Sequence, residues 1–321
     1  MNPRRLVPLV ALPVALAAFA PAAAPPAPAP APASAPAAWD ATGHMVVARV
    51  AWDHMTPLTR ARAVALLRRA PGDAGVCDLG PTGSASTAQR RNCFVRTATW
   101  PDRIRSTPRD HPSWHFVNTF WEIGPGGAPV DVDVPRSPDN AVARLGEVKD
   151  SVADVQVDDT TRAMQLAWIE HLVGDIHQPL HTSARVTAEN PLPIGDRGGN
   201  RFPLAGQPDN LHSWWDGSLR RQFPRRPDEQ NNDGLYVTRV SNTLQAANPA
   251  GTPVPDPFDF EGWLQEGMHS VRTEVYLGIQ PNTQPGFSYG AKTRRIADPA
   301  AVRGGMRLAA LLNRLFDPVH G

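Results

Sequence analysis

Residues 171–181 read His-Leu-Val-Gly-Asp-Ile-His-Gln-Pro-Leu-His and contain the most informative spacing in the chain. His171 and Asp175 are four residues apart, which places both side chains on one face of an α-helix, about one turn from each other. Pro179 stops that helix, so His181 lies on a turn that can bend back toward the same face. The stretch therefore predicts a helix and a turn that bring three potential metal ligands together.

The same spacing occurs again at His212 and Asp216. One His-x-x-x-Asp pair is common and is more often an ordinary surface pair than a metal site. Two copies, together with His181 and a Trp-His segment upstream, favour a multinuclear metal site. Imidazoles and carboxylates without cysteine are typical of zinc in a hydrolytic site rather than a structural one. The further candidates by residue type are His44, Asp102 and His115, so that five of the ten histidines take part.

The first 38 residues are predicted to lie outside the folded domain. Arg4 and Arg5 precede a short apolar run, which is the pattern of a secretory signal peptide, and the run is too short to cross a membrane. The following residues are almost wholly alanine and proline, which cannot form a core. We expect a signal peptide over residues 1–20, an Ala/Pro-rich linker or removed pro-stretch over 21–38, and one folded domain over 39–321.

The charge balance excludes a protein that is held on duplex nucleic acid by a global basic field. The chain has 32 Lys and Arg residues against 31 Asp and Glu residues, a formal charge of +1. Removal of Arg4 and Arg5 changes +1 to −1, so any contact with nucleic acid must be local. No internal repeat or second shift in composition marks another domain boundary.

The chain has two cysteines, Cys77 and Cys93, which flank a loop rich in Gly, Ser and Thr. In an exported protein an even number of cysteines most simply forms a disulfide. The alternative, a thiolate zinc site, needs more cysteines. We therefore predict a Cys77–Cys93 disulfide and a location in the periplasm or outside the cell.

The apolar periodicity predicts a mainly α-helical fold, and no run of alternating residues competes with it. In the helix that begins at Thr160, the residues Met164, Trp168 and Leu172 form an apolar stripe beside the ligand positions. Residues 182–209 are predicted to be a loop rich in Pro and Gly that frames a pocket. The predicted helices span residues 43–55, 57–69, 139–155, 160–175, 210–223, 234–246, 260–276 and 300–315.

Taken in order, these motifs resemble those of the zinc-dependent single-strand nucleases of the S-one/P-one type, which are relatives of bacterial zinc phospholipase C. The matching segments are WDATGH at 39–44, WPDRIR at 100–105, WHF at 114–116, HLVGDIHQPLH at 171–181, DRGGN at 196–200 and NLHSWWD at 210–216. Each segment alone is weak, but together they are highly specific. The resemblance implies a single-domain, multi-helix fold with long loops around a trinuclear zinc cleft.

The resemblance also implies the zinc ligands. One Zn²⁺ ion would be bound by Asp102, His115, His171 and Asp175, a second by His181, His212 and Asp216, and a third by Trp39, His44 and Asp175. Asp175 would then bridge two of the three ions. In this family the first residue of the mature chain binds zinc through its free amine and backbone carbonyl, so cleavage must expose Trp39.

The metals determine the expected chemistry. Zinc lowers the pKa of bound water, so that a hydroxide can attack phosphorus in line. The resemblance implies products with a 5′-phosphate, and removal of 3′-phosphates from nucleotides as a second reaction. Arg105 would stabilise the charge that grows on the phosphoryl oxygens, and a surface salt bridge is its structural alternative. The predicted catalytic residues are Asp102, Arg105 and Asp175.

Three further residues are predicted to contact the substrate. Phe116 matches the aromatic residue on which family members stack a base, and a core phenylalanine is the alternative. Asn118 belongs to the stretch 117–121, in which some family members have an acidic residue of the base pocket and this chain has none, so the base preference stays open. Asn200 would donate to the base or to a phosphate. His177 lies off the ligand face and is predicted to be structural.

The sequence thus predicts an exported zinc-dependent nuclease that hydrolyses single-stranded DNA and RNA, without stable membrane association and without a protein partner. A zinc-dependent phospholipase C is the first alternative. The short gap between Trp39 and His44, and aspartate rather than glutamate at 216, argue against it. The second alternative is a secreted binding protein with structural metals, but structural zinc sites are normally closed and often contain cysteine.

Overall fold

A computed structural model describes residues 39–80, 85–249 and 254–319. The prediction of a mainly α-helical, single-domain fold is confirmed. The helices are α1 (Ala41–His54), α2 (Pro57–Leu67), α3 (Thr87–Thr97), α4 (Trp100–Arg103), α5 (Ala141–Ala153), α6 (Asp159–Ile176), α7 (Leu211–Asp216), α8 (Ser218–Gln222), α9 (Asp233–Ala247), α10 (Phe260–Ser270) and α11 (Phe287–Phe316). The strands are β1 (Thr119–Ile123), β2 (Pro129–Asp131) and β3 (Ser183–Arg185). The predicted signal peptide and Ala/Pro-rich segment lie outside the described residues.

Helix α1 lies at the centre of the fold. Asp40 starts it, because its carboxylate accepts hydrogen bonds from the backbone N–H groups of Thr42 and Gly43 at 3.0 and 3.3 Å. Every residue from position 42 to position 52 is buried, and the helix packs against α3, α6, α9 and α11. A helix that is covered on all sides has no freedom to rotate, so the position of His44 is fixed by the packing of α1.

Helix α6 is the second buried helix, and its observed bounds differ by one residue at each end from the predicted span 160–175. Asp158 caps its start by accepting the Thr161 N–H at 2.9 Å. The helix ends before Pro179, which opens a 3₁₀ turn over Pro179–Thr182. As expected, this turn carries His181 back toward the face of α6.

Two predicted helices are interrupted. The span 210–223 consists of α7 and α8, which meet at Gly217. The span 260–276 is helical only to Ser270 and continues as a π-helical turn over Val271–Val275. Apolar periodicity does not distinguish these local changes in hydrogen bonding from a continuous helix.

Helix α11 begins well before the predicted start at residue 300. The predicted span starts directly after Pro299, but Pro299 lies inside α11, although proline usually ends or kinks a helix. Tertiary contacts hold the first half: the Tyr289 hydroxyl accepts a hydrogen bond from Trp215 Nε1 at 3.0 Å and donates one to the Val275 carbonyl at 2.6 Å. Tertiary packing therefore overrides the local signal.

The structure contains a small β-sheet, so the prediction that no alternating strand pattern competes with the helices needs correction. Its strand order is β2-β1-β3, with β1 antiparallel to β2 and parallel to β3. Trp121 of β1 pairs with Asp131 of β2 and with Arg185 of β3. Strands of three to five residues are too short to give a clear alternating pattern. Because β3 lies within 182–209, that span is not wholly a loop.

The region around α3 contains two features that complete the fold. Helices α3 and α4 are not predicted from periodicity, although a Ser86–Gln89 capping box marks the start of α3. Cys77 and Cys93 form the predicted disulfide, with their Cα atoms 5.4 Å apart, and it joins α3 to the preceding loop. Within the described residues, no helix is both long enough and apolar enough to cross a membrane.

Candidate metal centre

Four potential ligands converge on the C-terminal half of α6. His171 Nε2 lies 3.1 Å from Asp175 Oδ2, 2.9 Å from His115 Nδ1 and 3.9 Å from Asp102 Oδ1. His115 Nδ1 is 3.1 Å from the same Asp175 oxygen. The four side chains come from α4, from a 3₁₀ turn over Pro112–His115 and from α6. We refer to them as the first group.

The other oxygen of Asp175 faces a second set of atoms. His44 Nε2 lies 3.4 Å from Asp175 Oδ1, and the His44 ring stacks on the His171 ring with 3.8 Å between their centroids. His181 Nδ1 is 3.5 Å from the same oxygen. Each oxygen of Asp175 therefore faces a different cluster of imidazoles, which is the geometry of a carboxylate that can bridge two cations. His44 and Asp175 form the second group, with His171 close to both.

Trp39 lies at the start of α1, directly before the capping residue. Its indole is buried, with 1% of its surface exposed, and it packs against Gly43. The N–H of Asp40 donates to the Asp216 carbonyl at 3.3 Å. Asp40, directly after Trp39, is thus tied to a segment that carries another predicted ligand.

The third group lies where the turn after α6 meets α7. His181 Nε2 is 3.6 Å from Asp216 Oδ1, and His212 Nε2 is 3.4 Å from Asp216 Oδ2. Gln178 Nε2 donates to Asp216 Oδ1 at 2.7 Å and so fixes the orientation of the carboxylate. Asn210 caps α7 by accepting the Ser213 N–H at 2.8 Å.

Backbone carbonyls orient three of the histidines. Each donates its Nδ1–H to a carbonyl, so that in the neutral ring Nε2 carries no proton and points into a group. The pairs are His171 with Ala98 at 2.7 Å, His181 with His115 at 2.6 Å, and His212 with Gly198 at 2.7 Å. This arrangement holds an imidazole ready to bind a metal ion.

Buried atoms in the three groups lack hydrogen-bond partners, which tests whether the groups suit a cation. Among the described residues these atoms include both ring nitrogens of His44, Nε2 of His181 and of His212, Oδ1 of Asp175 and Oδ2 of Asp216. Buried polar atoms without a partner cost free energy unless a metal ion or water satisfies them. The donor set of imidazole nitrogen and carboxylate oxygen fits a divalent cation such as zinc.

The electrostatics of the groups favour bound positive charge. Burial alone would raise the pKa of Asp175, but the imidazoles of His171 and His181 hold that pKa well below its usual value. In turn, Asp175 and Asp216 overcome the effect of burial and raise the pKa of His181 to about 9. Burial lowers the pKa of His44, His115 and His212, which favours the neutral form that binds metals.

At two positions in the quoted motifs, neighbouring groups lie so close to the backbone that only glycine fits. A Cβ atom on Gly174 would lie 2.6 Å from His44 Nδ1, so only glycine lets His44 pack directly against α6. Gly198 has φ of +60°, and a Cβ there would lie 2.3 Å from the Leu180 carbonyl oxygen. Gly198 can therefore bring its own carbonyl to the ring of His212.

A pocket opens beside the first and third groups. Its lining contains His115, His181 and His212 together with four other side chains. These are Phe116, Asn118, Ser183 and Arg197. Two of the three predicted substrate residues thus lie on the pocket, whereas sequence reasoning missed Ser183 and Arg197. Arg197 stands inside the quoted DRGGN motif, which was the available signal.

Two other predicted residues are held by local contacts. The Asn200 amide donates to the Arg197 carbonyl at 2.8 Å, and Asn200 is not among the described residues that line the pocket. Arg105 donates from Nε and Nη2 to Asp102 Oδ1 at 3.0 and 2.7 Å. Both side chains of that pair are 23% exposed, so the guanidinium lies at the edge of the first group.

Two buried residues outside the three groups, Asp196 and His177, make hydrogen bonds close to them. Asp196 accepts the Arg185 N–H at 2.8 Å and the Tyr276 hydroxyl at 2.5 Å, which fixes the loop that contains Gly198. His177 donates from Nδ1 to the Val173 carbonyl at 2.7 Å, and its Nε2 lies 2.9 Å from Arg307 Nη1. His177 therefore faces away from the metal ligands, in a structural position.

Comparison with known proteins gives one family and several relatives. The family S1/P1 Nuclease, the type described above as S-one/P-one, matches residues 39–317. Nuclease P1 of Penicillium citrinum is 28% identical over 301 residues, which is 88% of this chain and 98% of that protein. Nuclease PA3 of a Penicillium species gives the same identity and shares. Endonuclease 3 of Arabidopsis thaliana is 25% identical over 248 residues, 70% of this chain and 77% of that protein.

Proposed function

Since this chain belongs to the S1/P1 nuclease family, it is a phosphodiester-hydrolysing enzyme that acts on nucleic acids. We propose that it is an exported zinc nuclease for single-stranded DNA and RNA. Its products carry 5′-phosphates, and removal of 3′-phosphates from nucleotides is a second reaction of the same centre. The observation that carries the proposal is the set of buried, unpartnered imidazole and carboxylate atoms around Asp175.

The proposal assigns three zinc ions to the three groups. Asp102, His115, His171 and Asp175 would hold one, His181, His212 and Asp216 a second, and Trp39, His44 and Asp175 the third. Bound zinc supplies an acidified water as nucleophile and positive charge for the phosphoryl oxygens. The backbone carbonyls that hold the three Nδ1–H groups keep the ligating imidazoles in place throughout the reaction.

The pocket beside the groups supports the choice of single strands. Phe116 presents an aromatic ring next to His115, and a base can stack on it only when the base is unpaired. Asn118 and Arg197 line the same pocket and offer hydrogen-bond donors to the base or its phosphate.

Arg105 lies where it can act on the phosphate. Its guanidinium is held on Asp102 Oδ1 and remains partly exposed. Arginine presents several donors in a fixed plane, so the donors that Asp102 does not use can contact a phosphoryl oxygen. We assign Arg105 the role of stabilising charge on that oxygen.

Proteolysis completes the proposed centre. Cleavage before Trp39 would free an amine at the start of α1, next to the segment that carries His44. The predicted export, by a signal peptide over residues 1–20, would deliver the chain to the proteases that remove residues 21–38.

The test uses protein whose N-terminus is verified as Trp39. Hydrolysis of single-stranded DNA, RNA and phosphatidylcholine is followed with and without chelator and after zinc is added back. We expect chelator-sensitive release of 5′-mononucleotides and no lipid cleavage. Asp175→Ala should lose both activity and bound zinc, whereas Asp150→Ala, an exposed acid on α5, should lose neither.

Three outcomes contradict the proposal. Lipid cleavage without nucleic-acid cleavage indicates the phospholipase alternative. Loss of folding on metal removal, with no turnover of any substrate in the zinc-loaded protein, indicates structural metals. Equal activity of protein that still carries residues 21–38 overturns the role of the Trp39 amine.

A further inference from the structure

A groove bordered by arginines runs along the C-terminal ends of α3 and α4. Arg96, in the last turn of α3, lines three adjoining depressions, and Arg103 of α4 lines two of them. One of these, with a volume of about 320 Å³, extends to Asp40 at the start of α1. Another extends to the Cys77–Cys93 disulfide. We call this surface the arginine groove.

The groove has an excess of positive charge. Arg220 is paired with Asp40 at 2.7 Å, and a fourth arginine of the wall, Arg225, is likewise neutralised by an aspartate at 2.6 Å. Within the described residues, neither Arg96 nor Arg103 has a carboxylate oxygen within 4.0 Å of its guanidinium. Asp78 also lines the groove, and its carboxylate accepts the N–H of Gly80 at 3.0 Å. Four arginines therefore face three aspartates, an excess of one positive charge.

The guanidinium groups of Arg96 and Arg103 repel each other electrostatically. Burial lowers the pKa of Arg103, and the positive charge of Arg96 lowers it further. The Arg103 side chain donates to the Gly75 carbonyl at 3.2 Å, which holds it in the groove wall. An anion bound between Arg96 and Arg103 would relieve this repulsion.

The groove adjoins the metal centre at two points of the chain. Arg103 directly follows Asp102, a member of the first group. Asp40 directly follows Trp39, and its N–H donates to the Asp216 carbonyl at 3.3 Å. Both adjacencies are what a strand path from the metal centre into the groove requires.

We propose that the arginine groove binds backbone phosphates of the nucleic-acid strand beyond the bond that is cleaved. The inference rests on the proposed function. Among the described residues that line the groove there is no Phe, Tyr or Trp, in contrast to the pocket with Phe116. The groove thus offers no aromatic ring on which a base can stack, and its arginines contribute to affinity for long strands through the backbone charge.

If Arg96 and Arg103 only stabilised the fold, replacing them should affect hydrolysis of long and short substrates equally. Arg96 lies at the C-terminal end of a helix, where a positive charge stabilises the helix dipole. Arg314 is a matched control, because it is also exposed and also lies in the last turn of its helix. Arg69, exposed and paired with Asp159 at 3.6 Å, completes a control pair with the same change in net charge.

The experiment compares Arg96→Ala/Arg103→Ala with Arg69→Ala/Arg314→Ala in zinc-loaded protein that begins at Trp39. Hydrolysis is measured on a single strand dT20 and on TpT, which has one phosphodiester and no flanking phosphate. For the groove variant we expect KM for dT20 to rise on the order of tenfold, with little change for TpT. The salt dependence of log KM should fall by about 1.4 in slope, since each phosphate contact on a single strand contributes about 0.7.

Binding is measured independently of turnover. Fluorescence anisotropy with a phosphorothioate dT20, which keeps every backbone charge, should show the same loss of affinity in the groove variant and none in the control. Equal losses on dT20 and TpT, or equal effects of the two double variants, overturn the groove. If wild-type protein cleaves no nucleic acid, the proposed function fails, and the anisotropy comparison still decides whether the groove binds the strand.

Discussion

Gly174→Ala is the substitution for which the structure gives the clearest magnitude. The new Cβ would lie 2.6 Å from His44 Nδ1, which is 0.8 Å less than the 3.4 Å at which ordinary van der Waals contact begins. His44 cannot retreat, because it is fully buried and its ring stacks on His171 at 3.8 Å. Ligand distances at a metal site tolerate about 0.2 Å, so a displacement of this size disrupts the second group.

The expected result is a selective loss of metal. Overpacking of this kind costs about 1–3 kcal/mol of folding free energy. Bound zinc, measured by mass spectrometry after gel filtration, should fall by about one ion per chain. Affinity for that ion, measured by competition with a chelator, should fall roughly 10- to 100-fold, as it does when the surroundings of a ligand are disturbed.

Gly146→Ala is the matched control. Gly146 also lies inside a helix, α5, but a Cβ there meets nothing within 4 Å. Alanine should stabilise that helix by roughly 0.5–1 kcal/mol and leave the zinc content unchanged. If Gly174→Ala binds zinc as tightly as Gly146→Ala and unfolds at the same temperature, the proposed role of Gly174 is wrong.

Three further perturbations test the surroundings of the centre. Tyr276→Phe removes the 2.5 Å hydrogen bond to buried Asp196, which fixes the loop containing Gly198. Zinc titration should then show weaker binding at the third group, and the free energy of unfolding should fall by about 1–3 kcal/mol; unchanged binding would refute the positioning role of Tyr276. Glu229→Gln should flatten the acid side of a plot of Tm against pH. The hydrogen bond from Arg239 lowers the pKa of Glu229 to about 2, so the stability that this carboxylate contributes is present above pH 4.5 and is lost as the pH falls toward 2; parallel curves for variant and wild type would contradict this. Replacement of Cys77 and Cys93 by alanine should cost about 3 kcal/mol in urea unfolding, the loop entropy of a 16-residue separation, and an unchanged midpoint would show that α3 does not need the crosslink.

Two of the helices that carry potential ligands, α1 and α6, follow from local sequence signals, whereas α4, which carries Asp102, is not predicted. Helix α6 has an aspartate cap, an apolar stripe and a terminating proline, and its predicted bounds differ by only one residue at each end. Helix α1 likewise starts at its capping aspartate, Asp40. Caps and proline act within one turn of the backbone, so the sequence is sufficient to place them.

Elements that depend on distant contacts are predicted less well. The pairing of β1 with β3 joins segments far apart in the chain, and neither strand is long enough to show its period. Pro299 marks a helix end by every local rule, yet α11 continues through it because Tyr289 is anchored by Trp215 and Val275. In these cases the free energy of tertiary contacts exceeds the local preference.

The candidate site shows the same division. Residue type and spacing identified the imidazoles and carboxylates that the structure places within a few ångströms of one another. Sequence reasoning missed Gln178, which orients Asp216, as well as the pocket residues Ser183 and Arg197. A glutamine or a serine has no spacing that marks it, because its role depends on which atom lies opposite in space.

The sequence predicted a hydrolytic metal centre from the types and spacing of five histidines and three aspartates, and the order of its motifs gave the resemblance to the nucleases. It also determined the helix and turn over residues 171–181, because caps, proline and the i, i+4 spacing act locally. Only the tertiary structure decided which oxygen of Asp175 faces which group, which histidines are held by a carbonyl, and that Arg96 and Arg103 share a groove. These are relations between segments distant in the chain, and burial and close packing fix them only when the whole domain has folded.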